Sequence, residues 1–93
     1  MEIHTRVSRS KSFEKQLEKV PDFIKKKVIL WVFLVESNGI WEVMKSPGFH
    51  DEPLKGDRKG QRSVRLNIAY RLIYYVIQDR VHIELLEVHK HEY

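Results

Sequence analysis

Residues 61–78 read QRSVRLNIAYRLIYYVIQ, and this segment has a side-chain period of two, in which Val64 and Leu66 alternate with Ser63 and Arg65. Such alternation is typical of β-strands, whose successive side chains point to opposite faces of a sheet. We therefore predict two antiparallel strands with a tight connection at residues 67–69. The side chains expected to share one face of the second strand are Tyr70, Leu72, Tyr74 and Val76.

The chain continues with another turn and a third strand. Residues 78–80 are polar and predict a turn, and residues 81–88 predict a strand with Val81, Ile83 and Leu85 on one side. The C-terminal third is thus predicted to be a three-stranded antiparallel meander.

Helical spacing replaces the period of two in the N-terminal half. Residues 3–7 predict a short first strand, and the serine-rich cluster at residues 8–12 offers N-caps for a helix. Phe13, Leu17 and Val20 then recur at i, i+4 and i+7, which puts them on one helical face.

A second helix is expected after Pro21, with Ile24, Val28, Trp31 and Val35 as its apolar stripe. Residues 28–35 are also compatible with a buried strand, because four of these eight residues are Val or Ile, but helix is the favoured interpretation. Residues 37–39 end this helix, residues 40–45 add a turn, and residues 49–60 form a loop. The predicted fold is α+β: an N-terminal strand, two helices and a C-terminal antiparallel β-meander.

The composition limits the class of protein. The chain has 93 residues and no cysteine, so we expect one domain over residues 1–93 without disulfides or thiolate metal sites. The N-terminus lacks the apolar core of a signal peptide, and the longest apolar run is far short of the roughly 20 residues that span a bilayer. These features predict a soluble, cytoplasmic protein.

Positive charge is concentrated in one window. The net charge is +4, yet six of the 17 Lys and Arg residues lie at 55–71 against one acidic residue, Asp57, so this window carries +5. The remainder sums to about −1, which indicates a local surface for a polyanion. Within the window, Arg65 and Arg71 flank the predicted hairpin connection and should be near cross-strand neighbours. They either hold an anion between them or simply extend into solvent.

The last residues, HKHEY, place His89, His91 and Tyr93 on one side of an extended chain. Imidazoles titrate near neutral pH and suit acid–base chemistry. Two alternatives stay open. One is a metal site, for which no third ligand is evident, and the other is a tail without function.

Taken in order, several segments resemble the RelE/ParE toxin superfamily. They are WEVMKSP at 41–47, PLKGDRKGQRSVRL at 53–66, YRLIY at 70–74 and EVHKHEY at 87–93. The likeness covers nearly the whole chain and is nearest to the RelE-type and HigB-type messenger-RNA interferases. It implies a compact architecture of the microbial ribonuclease type.

The resemblance implies a bacterial type II toxin that cleaves mRNA in the A site of the 70S ribosome, needs no metal or other cofactor, and is inhibited by a cognate antitoxin. Ser63 stands where some relatives carry a catalytic lysine, so the base can differ. The implied catalytic residues are Arg65 and Arg71 for the phosphate, His91 for proton transfer, and Tyr93 for orientation or protonation. The implied RNA contacts are Lys55, Arg58, Lys59, Arg62, His50, His89 and Lys90.

Two other classes are compatible with the sequence. The ParE branch shares the fold and inhibits DNA gyrase without cutting RNA, and a non-catalytic RNA- or ribosome-binding module would keep the cations without needing imidazoles. Arg71 with His91 and Tyr93 favours the ribonuclease, because proton-transfer groups are superfluous in a gyrase inhibitor. The apolar second helix is the expected contact for an antitoxin.

Overall fold

The computed structural model describes residues 4–91. Its strands form one sheet in the order β1-β5-β4-β3-β2, in which β1 is parallel to β5 and the other neighbours are antiparallel. The strands are β1 (Arg6–Arg9), β2 (Glu52–Pro53), β3 (Gln61–Arg65), β4 (Tyr70–Gln78) and β5 (His82–Lys90). The helices are α1 (Lys11–Lys19), α2 (Asp22–Asn38) and α3 (Ile40–Met44), with 3-10 turns at Pro47–Phe49 and Gly56–Arg58.

Helix α1 begins where the serine cluster predicts an N-cap. Ser10 Oγ accepts a hydrogen bond from the N–H of Phe13 at 3.0 Å, and the same hydroxyl donates to the carbonyl of Leu86 on β5 at 3.1 Å. The cap therefore satisfies an N–H that has no partner within the helix, and it also ties α1 to the sheet.

The run at residues 28–35 is helical, which confirms the favoured interpretation. The predicted stripe of α2 is buried, with Ile24, Val28, Trp31 and Val35 at most 1% exposed. The ring of Trp31 packs against that of Tyr74, with centroids 5.2 Å apart. Gly39 ends the helix at φ 86°, a left-handed conformation that favours glycine.

The helices cover one face of the sheet, and we call the other one the open face. Most side chains of the covered face are apolar, and packing against the helices removes them from water. From the strands, the core contains Val64, Leu72, Tyr74, Ile83, Leu85 and Val88.

A β-bulge in β5 decides which residues lie on the open face. Leu86 is left out of the β4–β5 register. Strict alternation after the buried Leu85 would direct Glu87 and His89 into the core. The extra residue shifts the alternation, so Val88 is buried instead, and Glu87 and His89 lie on the open face.

Several predicted boundaries are corrected by the structure. The first strand is β1 at Arg6–Arg9 rather than residues 3–7, and residues 1–3 lie outside the described residues. The predicted loop at residues 49–60 contains β2, which pairs with β3. The last strand begins one residue later than predicted and extends to Lys90.

No helix in residues 4–91 is long and apolar enough to cross a membrane.

Candidate nucleic-acid interface

Three side chains form one row across the open face. Arg65 of β3 lies opposite Arg71 of β4, and Arg71 lies opposite His89 of β5. Directly opposite residues share a face of the sheet, and neighbouring strands are about 4.8 Å apart, so the row spans roughly 10 Å. The predicted cross-strand pairing of the two arginines is confirmed. We call this group the Arg–Arg–His row.

The hairpin turn holds one of the two guanidiniums. Arg71 Nη1 donates to the carbonyls of Asn67 at 2.8 Å, Tyr70 at 3.2 Å and Ile68 at 3.4 Å. The Asn67 side chain in turn accepts from the N–H groups of Ala69 and Tyr70 at 2.8 and 2.7 Å, which stabilises the turn.

The other guanidinium is not restrained. The side chain of Arg65 is exposed and forms no hydrogen bond or ion pair within residues 4–91. The row therefore combines one fixed cation with one that can move to meet an anion.

Glu87 connects the row to a third arginine. One carboxylate oxygen lies 3.0 Å from His89 Nε2, and the other accepts a hydrogen bond from Arg58 Nη2. Arg58 Nε also donates to Gln61 Oε1 at 2.9 Å. The side chains of Arg58, Glu87 and His89 are 40%, 28% and 39% exposed, so a ligand can reach the cluster. Three arginines against one carboxylate leave this part of the open face positive.

The predicted proton-transfer residue His91 follows β5. Its backbone N–H donates to the carbonyl of Ala69 at 2.5 Å, which brings it to the hairpin turn that holds Arg71. His91 thus borders the row through its backbone, whereas His89 belongs to the row itself. Tyr93, the fourth predicted catalytic residue, lies outside the described residues.

Arg62, a predicted RNA contact, lies on the helix-covered side. It is opposite Tyr74, and its Nε donates to Asp51 Oδ1 at 2.5 Å. Tyr74 Oη donates to the other carboxylate oxygen at 2.6 Å, and the Asp51 side chain is 1% exposed. The guanidinium that the sequence assigns to RNA is therefore engaged in a buried ion pair.

Two pKa values reflect this buried cluster. Burial, and then the charge and hydrogen bond of Asp51, raise the pKa of Tyr74 far above its ordinary value. Burial lowers the pKa of Arg62, but the hydrogen bond and charge of Asp51 outweigh burial, so this pKa is also raised. Tyr74 is a neutral donor and Arg62 a permanent cation, and both serve the structure.

The remaining predicted RNA contacts surround the row. Lys55 and Lys59 are exposed at the two ends of the 3-10 turn that carries Arg58. Lys90 is on the helix-covered side of β5, where it lines a groove beside α1. His50 is exposed in a left-handed turn at φ 44° before β2, and its side chain forms no hydrogen bond or ion pair within residues 4–91.

The sequence prediction did not include Glu87 or Asp51. The signal for Glu87 is its spacing of two from His89, which puts both on the same strand face. Asp51 has no local signal, because its partners are 11 and 23 residues away.

Within residues 4–91, no three His, Cys, Asp or Glu side chains are grouped to hold a metal ion.

No family model and no curated protein matches the chain. Solved structures do match. The E. coli DinJ-YafQ toxin-antitoxin complex matches at a TM-score of 0.75 and 19% identity, over 96% of this chain and 94% of that one. A YoeB/ParE toxin from Agrobacterium tumefaciens matches at 0.71 and 19%, over 95% and 100%. A copper-bound mutant toxin from Helicobacter pylori matches at 0.63 and 26%, over 94% of both chains.

These likenesses extend over nearly all of each chain, so they concern the whole arrangement of helices and sheet and not a shared fragment. Their low identity means that it is the architecture that is held in common. The chain has the fold of the RelE/ParE toxins, as its sequence motifs predicted.

Proposed function

We propose that this protein is the toxin of a type II toxin–antitoxin system and acts as a ribosome-dependent endoribonuclease on mRNA. The observation that carries the proposal is the Arg–Arg–His row on the open face. Two guanidiniums and an imidazole on adjacent strands suit the binding of a phosphodiester and proton transfer to it. The fold shared with toxins is the second support.

The proposed reaction is in-line attack of a ribose 2′-oxygen on the adjacent phosphorus. The O2′–P bond forms and the P–O5′ bond breaks, leaving a 2′,3′-cyclic phosphate and a 5′-hydroxyl. Arg65 and Arg71 stabilise the charge that grows on the nonbridging oxygens. His89 and His91 are the two proton-transfer groups, and Tyr93 orients the leaving group. Side chains of the protein supply each of these functions, so the proposal needs no metal ion or cofactor.

The proposed place of action is the A site of the 70S ribosome, in the cytoplasm. Lys55 and Lys59 continue the positive surface beyond Arg58 and would contact the RNA backbone on either side of the cleaved phosphate. Such contacts fix the position of the strand without reading its sequence.

A cognate antitoxin is the proposed inhibitor, and α2 is its proposed contact. Contiguous exposed apolar side chains mark protein-binding surfaces. YafQ of E. coli, which has the same fold, is found in a complex with DinJ. Lysines of α2 border the apolar face, so a partner segment with both apolar and acidic residues would fit it. The exposed apolar residues of α2 are Phe23, Ile29, Leu30 and Phe33.

Primer extension on mRNA in a reconstituted translation reaction tests the enzymatic part. The wild type is expected to cut within A-site codons. Arg65→Ala and Arg71→Ala are each expected to cut about 100-fold more slowly, because each removes a group that stabilises the developing charge. Lys15→Ala changes an exposed cation of α1 and is the matched control, with an unchanged rate expected.

A supercoiling assay with DNA gyrase belongs to the same experiment. Uncut message together with inhibited supercoiling would overturn the ribonuclease proposal and assign the protein to the ParE-type alternative. Co-expression with the product of the adjacent gene tests the antitoxin part, with a stable complex and loss of toxicity expected.

A further inference from the structure

Both ring nitrogens of His89 face hydrogen-bond acceptors. Nε2 lies 3.0 Å from a carboxylate oxygen of Glu87, and Nδ1 lies 3.2 Å from the carbonyl oxygen of Lys90. An ionised carboxylate and a carbonyl cannot donate, so each contact needs a proton on the nitrogen that faces it. Only the doubly protonated imidazole satisfies both contacts.

Arg58 fixes Glu87 in this position. Its guanidinium binds the second carboxylate oxygen of Glu87, and its Nε donates to Gln61 at 2.9 Å. Turning Glu87 away from His89 would therefore also break an ion pair. The β5 bulge supplies the other constraint, because it directs both Glu87 and His89 to the open face, where Arg71 lies.

We propose that Glu87 is the positioning residue of this site and that, through it, His89 is the general acid of the cleavage; this inference rests on the proposed function. When RNA binds, its O5′ replaces the carbonyl oxygen of Lys90 as the hydrogen-bond partner of His89 Nδ1. The Nδ1 proton then passes to O5′ as the P–O5′ bond breaks. The ring keeps its Nε2 proton, hydrogen-bonded to Glu87, and becomes neutral. The 2′-hydroxyl proton passes to His91, which enters the reaction as a neutral base.

The charged surroundings make Glu87 decisive for this role. Within residues 4–91, Glu87 is the carboxylate that contacts His89, and the residue opposite His89 on β4 is the cation Arg71. Arg58 of the 3-10 turn binds the other oxygen of Glu87, and Lys19 of α1 and Lys90 of β5 line a groove that His89 also borders.

The substitution Glu87→Gln tests the inference, because it keeps the shape of the side chain and removes its charge. In the primer-extension assay the variant is expected to cut about 10- to 100-fold more slowly. Glu87→Asp retains the charge and is expected to cut faster than Glu87→Gln.

Glu84→Gln is the matched control. Glu84 lies on the same strand and the same face, opposite Tyr75, and its side chain forms no hydrogen bond or ion pair within residues 4–91. Its cleavage rate should equal that of the wild type. Thermal unfolding of all variants verifies that they are folded.

Ring ¹⁵N chemical shifts of His89 give a readout that does not require RNA. The neutral ring of the wild type should be protonated at Nε2, and Glu87→Gln should weaken this preference. If the wild type cuts mRNA while Glu87→Gln matches Glu84→Gln in cleavage rate and in ring shifts, the inference is overturned and the proposed function stands. A wild type that leaves mRNA uncut overturns both.

Discussion

A single carboxylate, that of Asp51, satisfies two polar side chains in the interior. Arg62 and Tyr74 both donate to it, and no part of it is appreciably exposed. Without Asp51, a guanidinium and a phenol hydroxyl would lose their common acceptor where water replaces it poorly. Stability, and not RNA binding, is the role that these contacts indicate for Arg62.

The substitution Asp51→Ala is expected to lower the free energy of unfolding by about 2–4 kcal/mol, because the buried phenol of Tyr74 and the partly exposed guanidinium of Arg62 lose their common acceptor. Chemical unfolding in urea at neutral pH measures the change. Asp57→Ala is the control, since Asp57 is exposed and its loss should change stability by no more than about 0.5 kcal/mol. Equal effects of the two substitutions would contradict a special role for Asp51.

Tyr74 should give the protein a distinct loss of stability in alkali. Its raised pKa means that the folded protein keeps the phenol proton at pH values where the unfolded chain releases it. This stabilisation is complete below the unfolded pKa of about 10 and is lost as the pH rises above it, by up to about 1.4 kcal/mol per pH unit.

Urea unfolding at a series of alkaline pH values is the measurement. Tyr74→Phe should be less stable at neutral pH but should lose stability less steeply above about pH 10. Tyr75→Phe removes an exposed tyrosine and should follow the wild-type slope. If the free energy of unfolding falls with pH at the same rate in all three proteins, Tyr74 is not the cause of the alkaline loss of stability.

The sequence predicts the role of a residue best when the partners of that residue are close to it in the chain. Arg65 and Arg71 flank one turn, so a period of two is enough to pair them. Arg62 belongs to the same charged window, and charge alone does not distinguish a cation that binds RNA from one that binds Asp51. That distinction requires the β2–β3 pairing, which has no strong sequence signal because β2 has only two residues.

At the scale of elements, Ser10 joins α1 to the β5 bulge. Ser10→Ala is expected to cost about 1–2 kcal/mol, because it removes the N-cap acceptor for Phe13 and the donor to Leu86. Thermal or urea unfolding measures this loss. Ser12→Ala, two residues further along and exposed, should be nearly neutral. Because alanine favours a helix more than serine does, a comparable loss from Ser12→Ala would contradict the assignment of the effect to the Ser10 cap.

Helices and long strands are predicted well because their periods are repeated many times. The stripe of α2 and the alternation of β4 each depend on four apolar residues at regular spacing. The bulge at Leu86 is a single extra residue in one strand, and it reverses the orientation of every residue after it. Hence the sequence places Arg65 and Arg71 together but does not assign His89 to their row.

At the scale of the whole molecule, the positive charge of the open face should make RNA binding sensitive to salt. Arg62 is bound by Asp51 and Arg58 by Glu87, so about four cations remain for phosphates. Each phosphate contact to a single strand contributes about −0.7 to the slope of log K, the binding constant, against log[salt]. Four contacts therefore predict roughly 50-fold weaker binding at 200 mM than at 50 mM salt.

Fluorescence anisotropy with a single-stranded RNA measures this dependence. Lys59→Gln should reduce the slope by about 0.7, whereas Lys15→Gln on α1 should leave it unchanged. A salt-independent affinity, or equal changes from both substitutions, would contradict an RNA-binding surface centred on the open face.

The parallel pairing of β1 with β5 joins residues 76 positions apart, such as Arg6 and His82. Since β5 lies between β1 and β4, the five-stranded sheet is complete only when β5 has paired with both neighbours. Because β5 also carries His89, the proposed activity requires the chain to be folded through this strand.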